Sequence, residues 1–240
     1  MIDRVLLALQ KLLMFRQVRL PTALLRYYWF TTLHKVRVWK DPDAPHLGRD
    51  TLRYNMSKMR ASAIKHDRVL HMIWPLLAIE DVARNRSRMK TLSIGPRSEG
   101  ELLLIAAHGF RWRNIHGIDL FSYSPRIDVG DMHNLEYADN SFDIVFSGWV
   151  LTYSRDQARA LKEIVRVLKP GGYLSFGNGY DSSWGKSGAA VGADVRANDI
   201  DGLFSPIAEN IDKVFFRHDI DPQQAARGER ALLAVVSIKK

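Results

Sequence analysis

From Lys90 onward the chain alternates short apolar runs of strand length with stretches at helical spacing, and no other feature restricts its fold as much. Thr91–Ile94, 115–120, Ile127–Val129, 142–147 and 173–177 read as strands, and 99–108 and 155–168 as helices, the first of them amphipathic. Strands that alternate with helices predict a mainly parallel, doubly wound α/β sheet, because parallel neighbours need a crossover connection between them. Residues 213–217 and Ala231–Ile238 read as two more strands, with 221–228 between them.

The N-terminal part has a different character. Val5, Leu6, Leu9, Leu12 and Leu13 recur at helical spacing, with Arg4, Lys11 and Arg16 among them, so residues 2–40 read as helical and amphipathic. Pro21 is placed to start a second helix, since proline is accepted in a first turn. The run Tyr27-Tyr28-Trp29-Phe30 can plug a core, line a substrate pocket or sit at a membrane interface, and core packing is the commonest of these fates. Residues 41–48 form a turn-rich break, the expected linker. Residues 50–90 return to helical character, with a boundary or kink at Pro75. These boundaries divide the chain into a basic helical extension or lid, 1–89, and a second domain, 90–240.

Composition narrows the chemistry. The 240 residues include no cysteine, which excludes disulfides, thiolate nucleophiles and cysteine-ligated metals. The eight histidines are scattered without convincing ligand spacing, so no metal site is expected. Residues 1–90 hold 18 Lys+Arg against 7 Asp+Glu, whereas 91–240 hold 17 against 19, so the basic excess belongs wholly to the N-terminal part. Such asymmetry suits an anionic partner there, nucleic acid or a membrane surface, or else a solvated face that keeps the chain soluble. No apolar run is long and uncharged enough to span a bilayer, and none ends in a signal-peptide cleavage site. The expected location is cytoplasmic, with membrane association left open.

The sharpest motifs are Gly130-Asp131-Met132-His133-Asn134-Leu135, Asn140-Ser141-Phe142-Asp143-Ile144-Val145 and Val167-Leu168-Lys169-Pro170-Gly171-Gly172. In order and spacing they resemble the C-terminal half of the core of class I S-adenosylmethionine-dependent methyltransferases, with a type 11-like core. The resemblance covers about 90–240 and is most specific from Asp131 to Gly172. It implies a Rossmann-like, seven-stranded, mainly parallel sheet closed by an antiparallel pair, and S-adenosylmethionine as cofactor. Only twelve positions separate Asp119 from Asp131, too few for a full crossover helix, so the sheet is expected to be shortened there to a loop over 121–126 whose Tyr123 and Pro125 cover part of the cofactor.

The same resemblance assigns the site. After the first strand comes Gly95-Pro96-Arg97-Ser98-Glu99, where Gly95 lets the chain turn and lets a ligand approach the backbone. Ser93 stands where the family carries an acid, and Arg97 and Glu99 where it carries glycines. Arg97 can pair the cofactor's carboxylate and Glu99 its amine, or both can face solvent and cap the helix. Asp119, with Leu120 beside it, takes the ribose-binding position, where a carboxylate accepts both hydroxyls. Asp131 and Met132 take the adenine positions. Ser147 and Gly148, followed by Trp149, lie at the carboxyl end of the fourth strand, where open α/β sheets bind ligands. Pro170-Gly171-Gly172 is a helix stop and turn without chemistry.

In-line methyl transfer needs little beyond proximity and orientation, with a general base helpful for a hydroxyl acceptor. His133 is the first candidate base because its unperturbed pKa lies nearest neutral, and it can equally be a histidine satisfied by a backbone carbonyl beside the adenine, among the cofactor-binding residues. Tyr153 and Asp181 are the others, and Tyr153 and Trp149 can instead shape an acceptor pocket. The leading expectation is methyl transfer to a small-molecule, sugar or lipid-linked acceptor. RNA methylation through the basic N-terminal region and a non-catalytic partner role stand as alternatives. A dehydrogenase is disfavoured, because no second glycine follows Gly95 to admit a pyrophosphate.

Overall fold

The computed structural model describes residues 2–33, 36–40, 68–180 and 199–239. The expected linker 41–48, most of the helical stretch from 50, and Asp181 lie outside the described residues. A seven-stranded sheet organises the rest: β2 (Thr91–Ile94), β3 (Ile115–Asp119), β5 (Ile127–Val129), β6 (Phe142–Gly148), β7 (Leu168–Gly179), β8 (Ile211–His218) and β9 (Ala231–Ile238). Its order is β5-β3-β2-β6-β7-β9-β8. The first five strands run parallel, and β9 and β8 close the sheet antiparallel.

The register brings one edge together. Ile94 lies beside Ile118 on one side and Ser147 on the other, so β2, β3 and β6 end at the same level. The turns that leave them carry Gly95, Leu120 and Trp149 to that edge, the side on which open α/β sheets take ligands. No crossover helix intervenes between β3 and β5. The chain forms the short strand β4 (Phe121–Ser122) and then a turn.

Helices cover both faces. On one face α6 (Gln157–Val167) starts at Asp156, whose carboxylate accepts from the Arg159 N–H at 2.8 Å, and buries Ala160, Leu161, Ile164 and Val167 at helical spacing. On the other lie α3 (Leu70–Leu77) and α5 (Glu99–Ala107). Ile73 and Leu76 of α3 are fully buried there, each contributing about 1.5–3 kcal/mol of hydrophobic stabilisation. The boundary expected at 89/90 thus runs through a shared core. Pro75 sits inside α3 near its end, and α4 (Glu80–Asn85) follows after a break at 78–79.

Residues 2–40 depart from the helical expectation in three ways. The helices are α1 (Ile2–Gln10), a 3-10 turn at Lys11–Met14 and α2 (Arg16–Leu33), so Pro21 lies within α2 and does not start it. Residues Arg37–Val38 are extended as β1 and pair antiparallel with β4, Arg37 opposite Ser122. The aromatic run does not plug the core: Tyr28 and Trp29 are exposed, and Tyr27 meets Tyr123 edge-on at 4.9 Å. α2 and the 3-10 turn cover the outer face of α5, which is why α5, expected to be amphipathic, is buried almost all round.

β7 is also longer than the 173–177 expected, starting at Leu168 and containing Pro170-Gly171-Gly172. Gly171 has φ +78°, and a Cβ on Gly172 would come within 3.0 Å of the Asp143 carbonyl oxygen. Asp143 ties this corner together, accepting from the Lys90 N–H at 2.8 Å and from Lys169 Nζ at 2.7 Å.

Candidate active site

Gly95 leaves β2 with φ +66°, a conformation that side chains with a Cβ rarely adopt. Its N–H donates to the Ile118 carbonyl at 2.8 Å, which pins the first turn to the end of β3. Val150, from the turn after β6, packs against it, so that a Cβ at position 95 would overlap Val150 Cγ1. Pro96 is buried and supports the turn from below, and a Cβ on Gly117 would reach its Cγ at 2.8 Å. Ser98 caps α5, accepting from the Gly100 N–H at 3.2 Å, while the Arg97 N–H donates to Glu101 at 3.2 Å.

Glu99 has partners that the sequence did not suggest. Its carboxylate is fully buried and held by Arg26 of α2, at 2.5 Å from Nε and 3.0 Å from Nη2, and by the Ser124 hydroxyl. Its N–H donates to the Tyr123 hydroxyl at 2.9 Å. The acid expected to meet a cofactor amine is thus committed to a link between the N-terminal helices and the 121–126 loop. Tyr123, expected over the cofactor, is buried in the same link, and Pro125 is exposed.

Asp119 is the least compensated acid of the edge. It ends β3 almost fully buried, and burial pushes its carboxyl from an ordinary 3.8 up to about 7. The N–H groups of Phe121 and Leu120 donate to it and Arg97 lies near enough to oppose the shift, whereas Glu101 adds to it. Burial outweighs these stabilising contacts, so a ligand that donated to this carboxylate would offset a cost the fold carries. The Gly130 N–H donates to the Asp119 carbonyl at 3.0 Å, so the Asp131 turn begins beside it, on the adjacent strand.

Asp131, by contrast, is well provided for. Its Oδ1 accepts from the His133 N–H at 3.0 Å and sits 2.5 Å from His133 Nδ1, and its Oδ2 accepts from Arg155 at 2.7 Å. Burial would raise its pKa, but the His133 hydrogen bonds and the Arg155 charge outweigh burial and hold it below the usual carboxylate range. Three of its roughly four acceptor positions are filled within the chain, which leaves one open.

The same contacts occupy His133. Its Nε2 lies 2.7 Å from Ser154 Oγ and 3.3 Å from the Asp156 N–H, a donor that requires Nε2 to accept. The hydrogen-bond network therefore assigns the proton to Nδ1, facing Asp131. With both nitrogens engaged and the ring buried, His133 reads as a clamp between the Asp131 turn and the start of α6 rather than a base. Tyr153, 61% exposed, sits beyond the end of β6 on the ligand side. Met132 packs partly buried against the α6 side of the core.

Two observations single out the turn after β6. Ser147 Oγ is buried and has no hydrogen-bond partner among the described residues. Trp149 adopts φ +58°, donates its N–H to the Gly177 carbonyl at 2.6 Å and lays its ring on Gly177, where a Cβ would come within 2.9 Å. Gly148 is as tightly placed, with Met72 Cε 2.7 Å from where its Cβ would be. Nothing in the sequence pattern pointed to Arg26, Val150, Ser154, Arg155 or the Asp156 cap, most of whose partners lie in other elements.

Comparison with known proteins fits this geometry. A family model described as a methyltransferase domain matches residues 92–176, from β2 into β7. The malonyl-[acyl-carrier protein] O-methyltransferase of Halorhodospira halophila is 29% identical over 154 residues, 56% of this chain and 50% of that protein. The chain spans half or less of the length of the first curated relatives it matches. Among solved structures, the complex between the Haloferax volcanii Trm112 methyltransferase activator and a methyltransferase aligns with TM-score 0.55 at 18% identity, covering 80% of this chain and 97% of that one. A protein of Galdieria sulphuraria assigned as a sarcosine dimethylglycine methyltransferase aligns with TM-score 0.52 at 15% identity, covering 75% and 87%. At these identities the structural likeness shows the fold.

The fold and the matched segment define a Rossmann-like methyltransferase domain. The match over residues 92–176 supports a class I S-adenosylmethionine-dependent methyltransferase domain.

Proposed function

We propose that this chain transfers a methyl group from S-adenosylmethionine to a small-molecule, sugar or lipid-linked acceptor. The observation that carries the reading is Asp119, a buried carboxylate at the ligand edge whose backbone N–H donors and nearby Arg97 do not offset its burial. It would accept from both ribose hydroxyls. Met132 and the remaining acceptor position of Asp131 suit the adenine, and Arg97 on the Gly95-Pro96 turn suits the carboxylate of the methionine end. The Ser147 hydroxyl, with Gly148, is available to a polar group of the ligand.

The cofactor supplies an activated methyl on a sulfonium whose departure as a neutral thioether is favourable. The chain's own contribution is to hold the donor, exclude water and orient the acceptor, which is sufficient for an in-line displacement. Tyr153 and Trp149 flank the approach and suit the acceptor side. His133, with both nitrogens committed, acts by fixing the Asp131 turn. Isothermal titration with S-adenosylhomocysteine should give saturable binding that is at least tenfold weaker in Asp119→Ala. No binding by the full chain would sink the proposal.

A second reading, a methyltransferase-fold partner without turnover, draws on the packing of Val150 against Gly95 and on the commitment of Glu99 to Arg26. A turnover assay separates the two. A donor that binds and disappears when a candidate acceptor is supplied excludes it.

A further inference from the structure

The outward face of the N-terminal helices has the composition of a core and the position of a surface. Along α2 the inward side carries Arg19, Arg26 and Tyr27, while Val18, Leu25, Tyr28, Trp29 and Leu33 stand on the solvent side. Leu25 is 70% exposed and Trp29 64%. The stripe continues onto the preceding turn and α1 through Phe15, Leu12, Leu9, Leu6 and Val5. Exposed apolar surface on this scale, concentrated in one contiguous segment, marks an interaction site.

Charge identifies the partner. Residues 1–40 contain eight Lys and Arg and one acidic residue, Asp3. Lys11 and Arg16 are exposed among the apolar side chains of this segment. Two copies of this face would bring like charges together, which disfavours self-association through it. Nucleic acid would meet the charge but leaves aliphatic side chains such as Leu25, Leu9 and Val5 without a complement, since bases stack on aromatic rings and guanidinium planes. Basic residues mixed with leucines and interfacial aromatics suit an anionic lipid surface. No helix among the described residues is long and apolar enough to cross a membrane, so a contact in the plane of the surface is the fitting geometry.

We infer that α1, the turn after it and α2 form a peripheral docking surface for anionic membranes. The inference rests on this surface alone and is independent of methyl transfer. The anchoring is direct: Gln10 donates to the Phe110 carbonyl at 2.9 Å at the end of α5, and Arg26 holds Glu99 at its start. The helices therefore carry the catalytic-domain edge with them when they dock.

The test is flotation of the full chain with vesicles of phosphatidylcholine alone and of phosphatidylcholine with roughly one third phosphatidylglycerol. Binding is expected to the anionic vesicles and to weaken as salt rises. Leu25→Asp with Trp29→Asp should lower partitioning by at least about a hundredfold, roughly tenfold per apolar side chain removed from lipid. Lys11→Gln with Arg16→Gln, which leaves the apolar stripe intact, should lower it by about fivefold per charge on anionic vesicles only. The inference is overturned if the folded full chain ignores anionic vesicles at low salt, or if the Leu25 and Trp29 substitutions leave binding unchanged. A stable dimer that those substitutions dissolve, or RNA binding that they abolish, would equally assign the face to another occupant.

Discussion

Replacing Asp119 by Asn separates the cost of the site from its use. A carboxyl moved from 3.8 to about 7 on folding is disfavoured in its ionised form by about 4 kcal/mol relative to the unfolded chain. Because the folded pKa lies above the unfolded one, the folded state binds more protons between these values, and stability falls as pH rises through that window and levels off above about 7. Asp119→Asn keeps the shape and a carbonyl that can accept from the Leu120 and Phe121 N–H groups, and removes the charge. At about pH 8 the substitution should therefore stabilise the fold by about 2–4 kcal/mol, while near pH 5 the gain should shrink to about 1 kcal/mol or a little more. Urea unfolding of both proteins at the two pH values gives the comparison. Affinity for S-adenosylhomocysteine should move the other way, weakened at least tenfold at pH 8, since hydrogen bonds to a charged acceptor contribute about 1.5–3 kcal/mol each. Equal stability changes at both pH values, or a loss at pH 8, would refute the claim that Asp119 is stored in the fold as an uncompensated acid.

The remaining expectations concern residues that meet this edge. His133→Gln should cost about 2–4 kcal/mol of stability by stripping Asp131 and Ser154 of partners, with the donor KM changed more than kcat; a lost kcat with unchanged stability would restore His133 as the base. Arg26→Ala leaves Glu99 buried and unpaired and should destabilise by about 3 kcal/mol, measured by thermal unfolding, whereas Arg26→Ala with Glu99→Gln should recover most of the loss. Ser147→Ala should be neutral or stabilising by about 1 kcal/mol in urea, because it deletes a hydroxyl without a hydrogen-bond partner, and should weaken cofactor binding; destabilisation of that size would mean the hydroxyl is satisfied within the core.

Much of the sheet was legible because its signal is local. Strands such as Thr91–Ile94 and Ala231–Ile238 are apolar runs bounded by turn residues, and their edges fall where the sequence puts them. The loss of a helix between Asp119 and Asp131 followed from chain length alone. What escaped depends on contacts distant in sequence. Glu99 reads as a favourable first-turn acid, and only the arrival of Arg26 from α2, 73 positions away, turns it into a buried ion pair. His133 reads as a base or a carbonyl-satisfied ring, and only the packing of α6 brings Ser154 and Asp156 to its far side. The aromatic run at 27–30 failed differently: hydrophobicity predicts burial, but α2 spends its inward face on arginines that reach the ends of other elements.

Three costly features lie along one edge of the sheet, and their coincidence argues for a ligand better than any one of them. A desolvated carboxyl at Asp119, an unpartnered buried hydroxyl at Ser147 and a tryptophan at φ +58° each oppose folding, the last two by about 1–3 kcal/mol and about 1–2 kcal/mol respectively. The conformation of Trp149 lays its ring on Gly177 and turns the chain toward Val150 and Tyr153, so the strain shapes the approach to the edge. A domain that retains such costs where three parallel strands end is one whose most favourable state includes a ligand there, and under the proposed function the two hydroxyls of a ribose would answer the largest of the three.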